Sequence, residues 1–173
     1  MISPESTIAI VPFERRFDRT QFSCGKHDLD DWLQRFASQS EKRDTTRTFV
    51  AVSGSRVVGY YATRTYELDL DEAAEAFGVG RRPYPVPATL LARLAVDQDY
   101  QGRGLGGRLL VDALGRLSEA SLALGFEVVV VHAIDAEAST FYRRWGFQPF
   151  EERPLHLFLA TKDLRASFAA AQP

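Results

Sequence analysis

Four glycines crowd one short segment of the chain, Gln101-Gly102-Arg103-Gly104-Leu105-Gly106-Gly107. The segment lies between a strand-like and a helix-like pattern. Glycines let the backbone turn tightly, and the exposed N–H groups of such a turn and of a helix N-terminus bind anions such as a pyrophosphate. A structural turn requires fewer glycines than these, so the segment predicts a site for a phosphorylated cofactor.

Of two known nucleotide-binding motifs, this segment matches one and not the other. The P-loop is excluded, because G-x-x-x-x-G-K-[ST] is absent and the segment holds no lysine. The dinucleotide fingerprint G-x-G-x-x-G is satisfied by Gly102, Gly104 and Gly107, and Asp135 after the next strand is suited to bind a ribose. Only residues 136–173 follow Asp135, too few for a complete doubly wound sheet, so a non-catalytic CoA- or dinucleotide-binding module is the lower-ranked alternative.

Arginines are the candidates for contact with a phosphorylated substrate, because a guanidinium binds phosphate bidentately. Arg93 lies on the strand before the glycine segment and can point into an acceptor cleft. Four others stand in basic groups elsewhere in the chain: Arg43, Arg47, Arg81 and Arg82. Ion pairs with the acidic run at residues 67–75 are the alternative interpretation of these arginines.

Thiol and imidazole chemistry has little support in this chain. Cys24 is the single cysteine, which excludes an intrachain disulfide and indicates a reducing, cytoplasmic setting. One thiol and three scattered histidines do not give metal-ligand spacing, so we predict no metal site. Four residues therefore stay unassigned: Cys24, His27, His132 and His156.

The elements that must position these residues alternate between strand and helix patterns. The first half predicts a strand over 8–11, an amphipathic helix over 28–42, a hairpin of strands 48–52 and 57–66 around the turn 53–56, an acidic helix over 69–77 and a loop over 78–87. The second half predicts a strand over 89–96, a helix over 104–124 ended by Gly125, a buried strand over 126–134, a helix capped by Asp135 and running to Trp145, and a strand pair over 147–151 and 155–161. A short or frayed helix is expected at the C-terminus.

Length and composition are those of one globular domain spanning residues 1–173, and the order of the elements makes it α/β. The 173 residues are 45% hydrophobic, 12% aromatic and 25% charged, which excludes a disordered or collagen-like chain. The first residues lack the pattern of a signal peptide, and the longest apolar run, near 128–134, is far shorter than the roughly 20 residues that span a bilayer. The net charge of −2 argues neither for nor against a nucleic-acid partner.

Three motifs in order resemble a known family. QGRGLG at 101–106 matches the Q/R-x-x-G-x-G/A signature of the GNAT acetyltransferases, between LARLAV at 91–96 and AEASTFYRRWGF at 136–147. The resemblance implies the GNAT fold, a mixed central sheet flanked by helices, with acetyl-CoA held where parallel strands 89–96 and 126–134 splay apart. It implies that the backbone of Leu94, Ala95 and Val96 holds the pantetheine arm, and that a loop binds the pyrophosphate: Gln101, Gly102, Arg103, Gly104, Leu105, Gly106 and Gly107. Asp135 and Phe141 complete the predicted cofactor contacts.

Further motifs are similar to those of the GNAT toxins of bacterial toxin–antitoxin pairs. They are F-x-C-G-x-x-x-L-D-x-W-L at 22–33, R-T-F-V-A at 47–51, G-Y-Y at 59–61 and P-x-x-L-L-A-R-L-A-V at 87–96. The resemblance implies acetylation of the α-amine of aminoacyl-tRNA, arrest of translation and a ribbon-helix-helix antitoxin; a homodimer is left open. Those toxins are typically basic, whereas this chain is not. A GNAT enzyme that acetylates a small amine or a peptide is the alternative.

Tyr142 is the predicted catalytic acid. Acetyl transfer needs donors for the tetrahedral oxyanion and an acid for the departing thiolate. A backbone N–H near Val96 can serve the oxyanion, and in related enzymes the tyrosine of the F-Y pair serves the thiolate. The alternative, a core aromatic, is predicted for Phe141, which shares a helical face with Ala138 and Trp145.

No carboxylate stands out as the general base. The α-amine of an aminoacyl ester is more acidic than the reference α-amino group, of pKa about 7.7–8.0, and is often neutral already. Asp97, Asp99 and Glu67 can act through water but are predicted to be turn or surface charges.

Overall fold

The computed structural model describes residues 7–78 and 85–171. The first of these parts holds, in order, strand β1 (Ala9–Pro12), helix α1 (His27–Asp31), a π-helical segment (Trp32–Phe36), helix α2 (Ala37–Lys42), strands β2 (Arg47–Ser53) and β3 (Arg56–Leu68), and helix α3 (Leu70–Phe77). The second holds strand β4 (Val86–Val96), a 3₁₀ turn (Gln98–Tyr100), helix α4 (Leu105–Ala120), strand β5 (Val128–His132), helix α5 (Ala136–Arg144), strands β6 (Gln148–Pro149) and β7 (His156–Ala160), and helix α6 (Thr161–Ala170).

The described strands form a mixed sheet in the order β1-β2-β3-β4-β5-β7-β6. Strands β1, β2 and β3 are antiparallel neighbours, β4 and β5 are parallel, and β7 is antiparallel to both β5 and β6. The sequence prediction of an α/β fold with a mixed sheet and parallel central strands is confirmed.

Two compact units divide the chain, and the first consists of residues up to Thr63 together with Arg93–Ala113. Its core contains Leu33, Val50 and Tyr60, all fully buried. Gly59 lets β3 pack tightly in this unit, because a Cβ there would lie 2.9 Å from Leu109 Cδ1 and 3.3 Å from the Ala95 carbonyl oxygen. The G-Y-Y motif is thus explained by packing.

The second unit consists of Arg64–Ala92 and the chain from Leu114 onward. Its core includes Leu68, Leu90, Val128 and Phe150. The four consecutive valines of β5 are all fully buried, as expected for a strand covered on both faces.

Most predicted elements are present, but several of their boundaries are wrong. The hairpin turn has Gly54 at φ +62° between the paired residues Ser53 and Arg56. Helix α4 ends at Ala120 rather than at 124, and Gly125 has no positive φ, so it does not end the helix in the predicted left-handed conformation. Of the predicted loop over 78–87, residues 79–84 lie outside the described residues, whereas Val86 and Pro87 belong to β4, which begins three residues before the predicted start at 89. No helix of the described chain is long and apolar enough to cross a membrane.

Candidate active site

Strand β4 is longer than β5, its parallel neighbour in the sheet. The pairing of β4 with β5 runs from Ala88–Val128 to Leu91–Val131, whereas β4 itself continues to Val96. Strand β5 keeps its pairing with β7 as far as His132. Strand β4 therefore continues beyond its hydrogen-bonded pairing with β5, which ends at Leu91. The splay of these strands around a cofactor stays a prediction.

The glycine segment begins directly after this strand and the 3₁₀ turn. Gly102 and Gly104 have φ values of +76° and +80°, and no atom lies within 4 Å of the position of a Cβ on either residue. Leu105, buried at 3% exposure, anchors the start of α4. The N–H groups in the first turn of a helix have no intrahelical partner, so the segment offers donors beside open space.

The side chain of Gln101 joins the glycine segment to the rest of its unit. Its Nε2 donates to the carbonyl oxygens of Cys24 and Val96, each at 2.9 Å. The Val96 carbonyl is therefore engaged by Gln101. Gln101 positions the end of β4, a contact that the sequence did not predict. The guanidinium of Arg103 lies 5.3 Å from the ring of Tyr100.

Asp97 has a structural role at the same place. Its carboxylate is buried at 2% exposure and accepts hydrogen bonds from the N–H groups of Ser23, at 3.1 Å, and Asp99, at 3.0 Å. Arg56 donates to Asp97 at 3.3 Å and to Asp99 at 3.2 Å. The prediction that these two carboxylates are turn charges agrees with this network. Glu67 is exposed.

Tyr142 lies on α5 in the second unit. Asp135 caps this helix by accepting the N–H of Ala138 at 2.8 Å, as predicted. Tyr142 is 7% exposed, and burial raises the pKa of its phenol well above the ordinary value. The hydroxyl therefore keeps its proton at neutral pH and remains a donor.

The predicted packing face of α5 is wrong. Ser139 and Tyr142 are the buried residues of the helix, whereas Trp145, just past its end, is 41% exposed and Phe141 is half-buried. The apolar spacing of Ala138, Phe141 and Trp145 is misleading, because a serine contributes to the buried face. Phe141 is thus partly accessible, as a ligand contact must be.

The candidate substrate arginines lie in different surroundings. Arg43 is exposed at the end of α2. Arg47 pairs with Asp44 at 2.6 Å and with Glu41 at 3.4 Å, not with the acidic run at 67–75. Arg93 lies over the ring of Trp32, 4.3 Å from its centroid. Arg81 and Arg82 lie outside the described residues.

The profile of the acetyltransferase (GNAT) domain matches residues 44–149. A tRNA-acetylating toxin of Mycobacterium tuberculosis (strain ATCC 25618 / H37Rv) is 44% identical over 151 residues, which cover 86% of this chain and 89% of the relative. The chain belongs to the GNAT acetyltransferase family. It is accordingly an acetyl-CoA-dependent N-acetyltransferase.

Two solved GNAT structures agree with this assignment over nearly the whole chain. The toxin AtaT complexed with acetyl-methionyl-tRNAfMet is 27% identical, with a TM-score of 0.84, and the match covers 94% of this chain and 99% of that one. A tyrosine-to-phenylalanine mutant of AtaT bound to the C-terminus of the antitoxin AtaR and acetyl-CoA is 26% identical, with a TM-score of 0.80, and covers 93% and 98%.

The glycine segment suits the phosphates of acetyl-CoA. Gly102 and Gly104 leave open the space that a Cβ would fill, and α4 starts immediately after them. A pyrophosphate is best held by such a row of N–H groups at a helix N-terminus. Among the described residues, no group of three or more His, Cys, Asp or Glu side chains is arranged to hold a metal ion.

The second unit contains a pair of stacked histidines that the sequence did not predict. The rings of His132 and His156 stack with centroids 3.8 Å apart, and Tyr66 meets His132 edge-on at 5.5 Å. Arg153 reaches the buried Glu72 at 3.1 Å, and His156 Nδ1 lies 3.5 Å from the same carboxylate. Burial, followed by the neighbouring His156, lowers the pKa of His132 to about 4. The only sequence signal is that each histidine ends or begins a strand.

Proposed function

We propose that this GNAT enzyme acetylates the α-amine of aminoacyl-tRNA and acts as a toxin that stops translation. The observation that carries the proposal is the 44% identity, over 86% of the chain, to a tRNA-acetylating toxin. The similarity to AtaT complexed with acetyl-methionyl-tRNAfMet supports the same acceptor. An antitoxin partner of the ribbon-helix-helix class, a cytoplasmic location and a single domain over residues 1–173 belong to this proposal; a homodimer is compatible with it.

The proposed acetyl-CoA site combines residues from several elements. The backbone of Leu94, Ala95 and Val96 is proposed to hold the pantetheine arm; these residues lie beyond the last pair of β4 with β5, Leu91–Val131. The pyrophosphate is bound by the N–H groups of residues 101–107, of which Gln101 and Leu105 mainly fix the loop. Asp135 and Phe141 complete the proposed contacts.

In the proposed reaction the neutral α-amine attacks the thioester that bound acetyl-CoA supplies. The N–H of Val96 donates to the developing oxyanion, a contribution typical of preorganised backbone donors. The C–S bond breaks as the C–N bond forms, and Tyr142 donates its phenolic proton to the departing CoA thiolate; the proton that the amine gives to water then restores the phenol. Its raised pKa ensures that the proton is present throughout the neutral range.

The acceptor amine needs no strong base on the protein. The α-amine of an aminoacyl ester is neutral in a large fraction of molecules near pH 7, because its pKa lies below the reference of about 7.7–8.0. Asp97 is occupied by two N–H groups and Arg56, which argues against a second role as base. Water accepts the proton in this scheme.

Arginines are proposed to contact tRNA phosphates. Arg43 is exposed and Arg93 is half-buried against Trp32, so Arg43 is the more accessible of the two. Arg47 must exchange its ion pairs with Asp44 and Glu41 for phosphate. Arg81 and Arg82 remain proposals from the sequence alone.

The test is induced expression combined with analysis of tRNA. Wild-type protein should arrest growth, and aminoacyl-tRNA from the arrested cells should carry N-acetyl groups. Purified protein should transfer acetyl from acetyl-CoA to aminoacyl-tRNA but not to deacylated tRNA. Harmless expression of an enzyme that acetylates a small amine or a peptide would contradict the toxin proposal, and acetyl-CoA binding without any transfer would contradict the enzyme.

A further inference from the structure

A concave surface in the first unit lies at the loop between β1 and α1, beside the π-helical segment. It is lined by residues 15–20 and Gln34 and has a volume of about 430 Å³. We call it the arginine pocket, because Arg15, Arg16 and Arg19 all contribute to its wall. Arg15 and Arg16 are exposed and Arg19 is half-buried.

The acidic residues of the segment are engaged locally. Arg16 Nε donates to Glu14 at 2.7 Å, so this arginine is already neutralised. The Asp18 carboxylate accepts the N–H of Thr20 at 2.9 Å and its hydroxyl at 2.7 Å. The positive charge in the pocket is therefore that of Arg15 and Arg19, and the Asp18 carboxylate in the same wall offsets part of it.

Arg19 is held in an unfavourable setting. Its Nη1 is buried and has no hydrogen-bond partner among the residues that the structure describes. Its guanidinium lies over Phe13, 4.9 Å from the ring centroid. Burial lowers the pKa of Arg19, the nearby Arg15 lowers it further, and Asp18 offsets part of this effect. A buried donor without a partner and two neighbouring like charges each cost free energy, and an anion bound beside the guanidinium offsets the like-charge repulsion.

We propose that the arginine pocket binds a backbone phosphate of the tRNA substrate. This inference rests on the proposed function. A guanidinium fork matches two phosphate oxygens, which is why arginine is favoured at phosphate sites. Arg15 lies exposed beside Arg19, so it can reach the neighbouring phosphate of a continuous backbone, whereas a free phosphate would occupy Arg19 alone.

The experiment measures binding of deacylated tRNA over a range of salt concentrations. Arg15→Gln and Arg19→Gln should each lower the slope of log K against log salt by about one, because each phosphate contact releases counterions. The double variant should bind tRNA roughly tenfold more weakly at moderate salt, with unchanged affinity for acetyl-CoA. Arg19→Lys keeps the positive charge but loses the planar guanidinium that binds two phosphate oxygens. This variant should therefore retain the salt dependence of tRNA binding and lose part of the affinity for tRNA.

The matched control is Arg165→Gln, which removes one charge from an exposed arginine that donates a hydrogen bond to the Ser121 hydroxyl. It should leave tRNA affinity and the salt slope unchanged. Should the Arg19 variants fail to fold, the exposed Arg15→Gln still tests the pocket.

The outcomes separate this inference from the proposed function. If wild-type protein does not acetylate aminoacyl-tRNA, the proposed function fails. If it does, but the double variant binds tRNA with wild-type affinity and slope, the pocket inference alone is overturned. A double variant that loses stabilisation by inorganic phosphate, yet binds tRNA normally, would assign the pocket to a small anion and overturn the tRNA assignment.

Discussion

Tyr142 is buried on α5, and its hydroxyl is the group that the proposed chemistry requires. Tyr142→Phe removes that hydroxyl and preserves the ring, so kcat should fall about 10²–10⁴-fold while the Kd for acetyl-CoA stays within about twofold. Steady-state kinetics with aminoacyl-tRNA and a direct binding measurement check the two halves of this expectation.

Tyr61 provides the control for Tyr142. Its hydroxyl is also buried, but it donates to Asp112 at 2.6 Å within the first unit. Tyr61→Phe should therefore reduce stability by about 1–2 kcal/mol and leave kcat near the wild-type value. A fully active Tyr142→Phe would remove Tyr142 from the mechanism.

His132 should make the stability of the protein depend on pH. Its pKa is about 4 in the folded protein and about 6.5 when unfolded. The unfolded chain therefore binds the proton more tightly, and stability that is complete above pH 6.5 is lost as the pH falls toward 4. Because the residue is only half-buried, we expect a loss of about 1–2 kcal/mol after screening.

Denaturant unfolding at several pH values measures this loss. His156, Arg64 and Arg153 are the charged or titratable groups that oppose protonation of His132. His132→Gln should flatten the dependence between pH 4 and 6.5, whereas His27→Gln, at an exposed residue of α1, should keep it. An equal slope in wild type and His132→Gln would assign the dependence to other groups.

Among the elements, β3 depends on a glycine for its packing. Gly59→Ala would put a Cβ 2.9 Å from the fully buried Leu109 and 3.3 Å from the carbonyl oxygen of Ala95. Overpacking of this kind costs about 1–3 kcal/mol, which urea unfolding detects. Gly125→Ala is the control, because its Cβ would meet no atom within 4 Å. Equal stability of the two variants would contradict tight packing at Gly59.

The sequence predicted elements well where the signal is local. Asp135 caps α5 through a hydrogen bond to a residue three positions on, and Gly54 adopts the positive φ that a tight hairpin turn favours. The predicted end of α4 was wrong because Leu122 and Leu124 continue the apolar pattern of the helix. In the structure these leucines are 79% and 58% exposed and belong to a turn after Ala120.

The candidate site was predictable as a set of residues but not as a network. The glycines and Tyr142 come from motifs, whereas Gln101 reaches the carbonyl of Cys24 across a sequence separation of 77. The stacking of His132 on His156 follows from the register of β5 with β7. Contacts of this kind depend on strand pairing, which a local pattern does not report.

At the scale of the whole molecule, net charge is a poor guide to the partner. The chain carries 21 basic and 23 acidic residues, which give −2. Several carboxylates form ion pairs with arginines of the same chain, such as Glu14 with Arg16 and Asp97 with Arg56. Binding of a polyanion depends on arginines that remain available on one surface, and a negative total is compatible with such a surface.

Ligand binding should stabilise the entire fold and distinguish acetyl-CoA from a nicotinamide dinucleotide. A ligand that binds only the folded chain, at a free concentration a hundredfold above its Kd, adds roughly 2.7 kcal/mol of stability. Thermal unfolding should therefore shift upward with acetyl-CoA and remain unchanged with NAD. Stabilisation by NAD alone would contradict the acetyl-CoA site and would indicate that the glycine segment binds a dinucleotide.

Gly104→Asp should abolish the shift produced by acetyl-CoA. The substitution places a side chain and a negative charge in the open space where the phosphates are proposed to lie. It also strains a backbone at φ +80°, and for this reason Gly54→Asp is the proper comparison, since Gly54 has φ +62° and equally open surroundings. Both variants should melt earlier than wild type from backbone strain, but only Gly54→Asp should still respond to acetyl-CoA. A full response from Gly104→Asp would move the pyrophosphate site away from the start of α4.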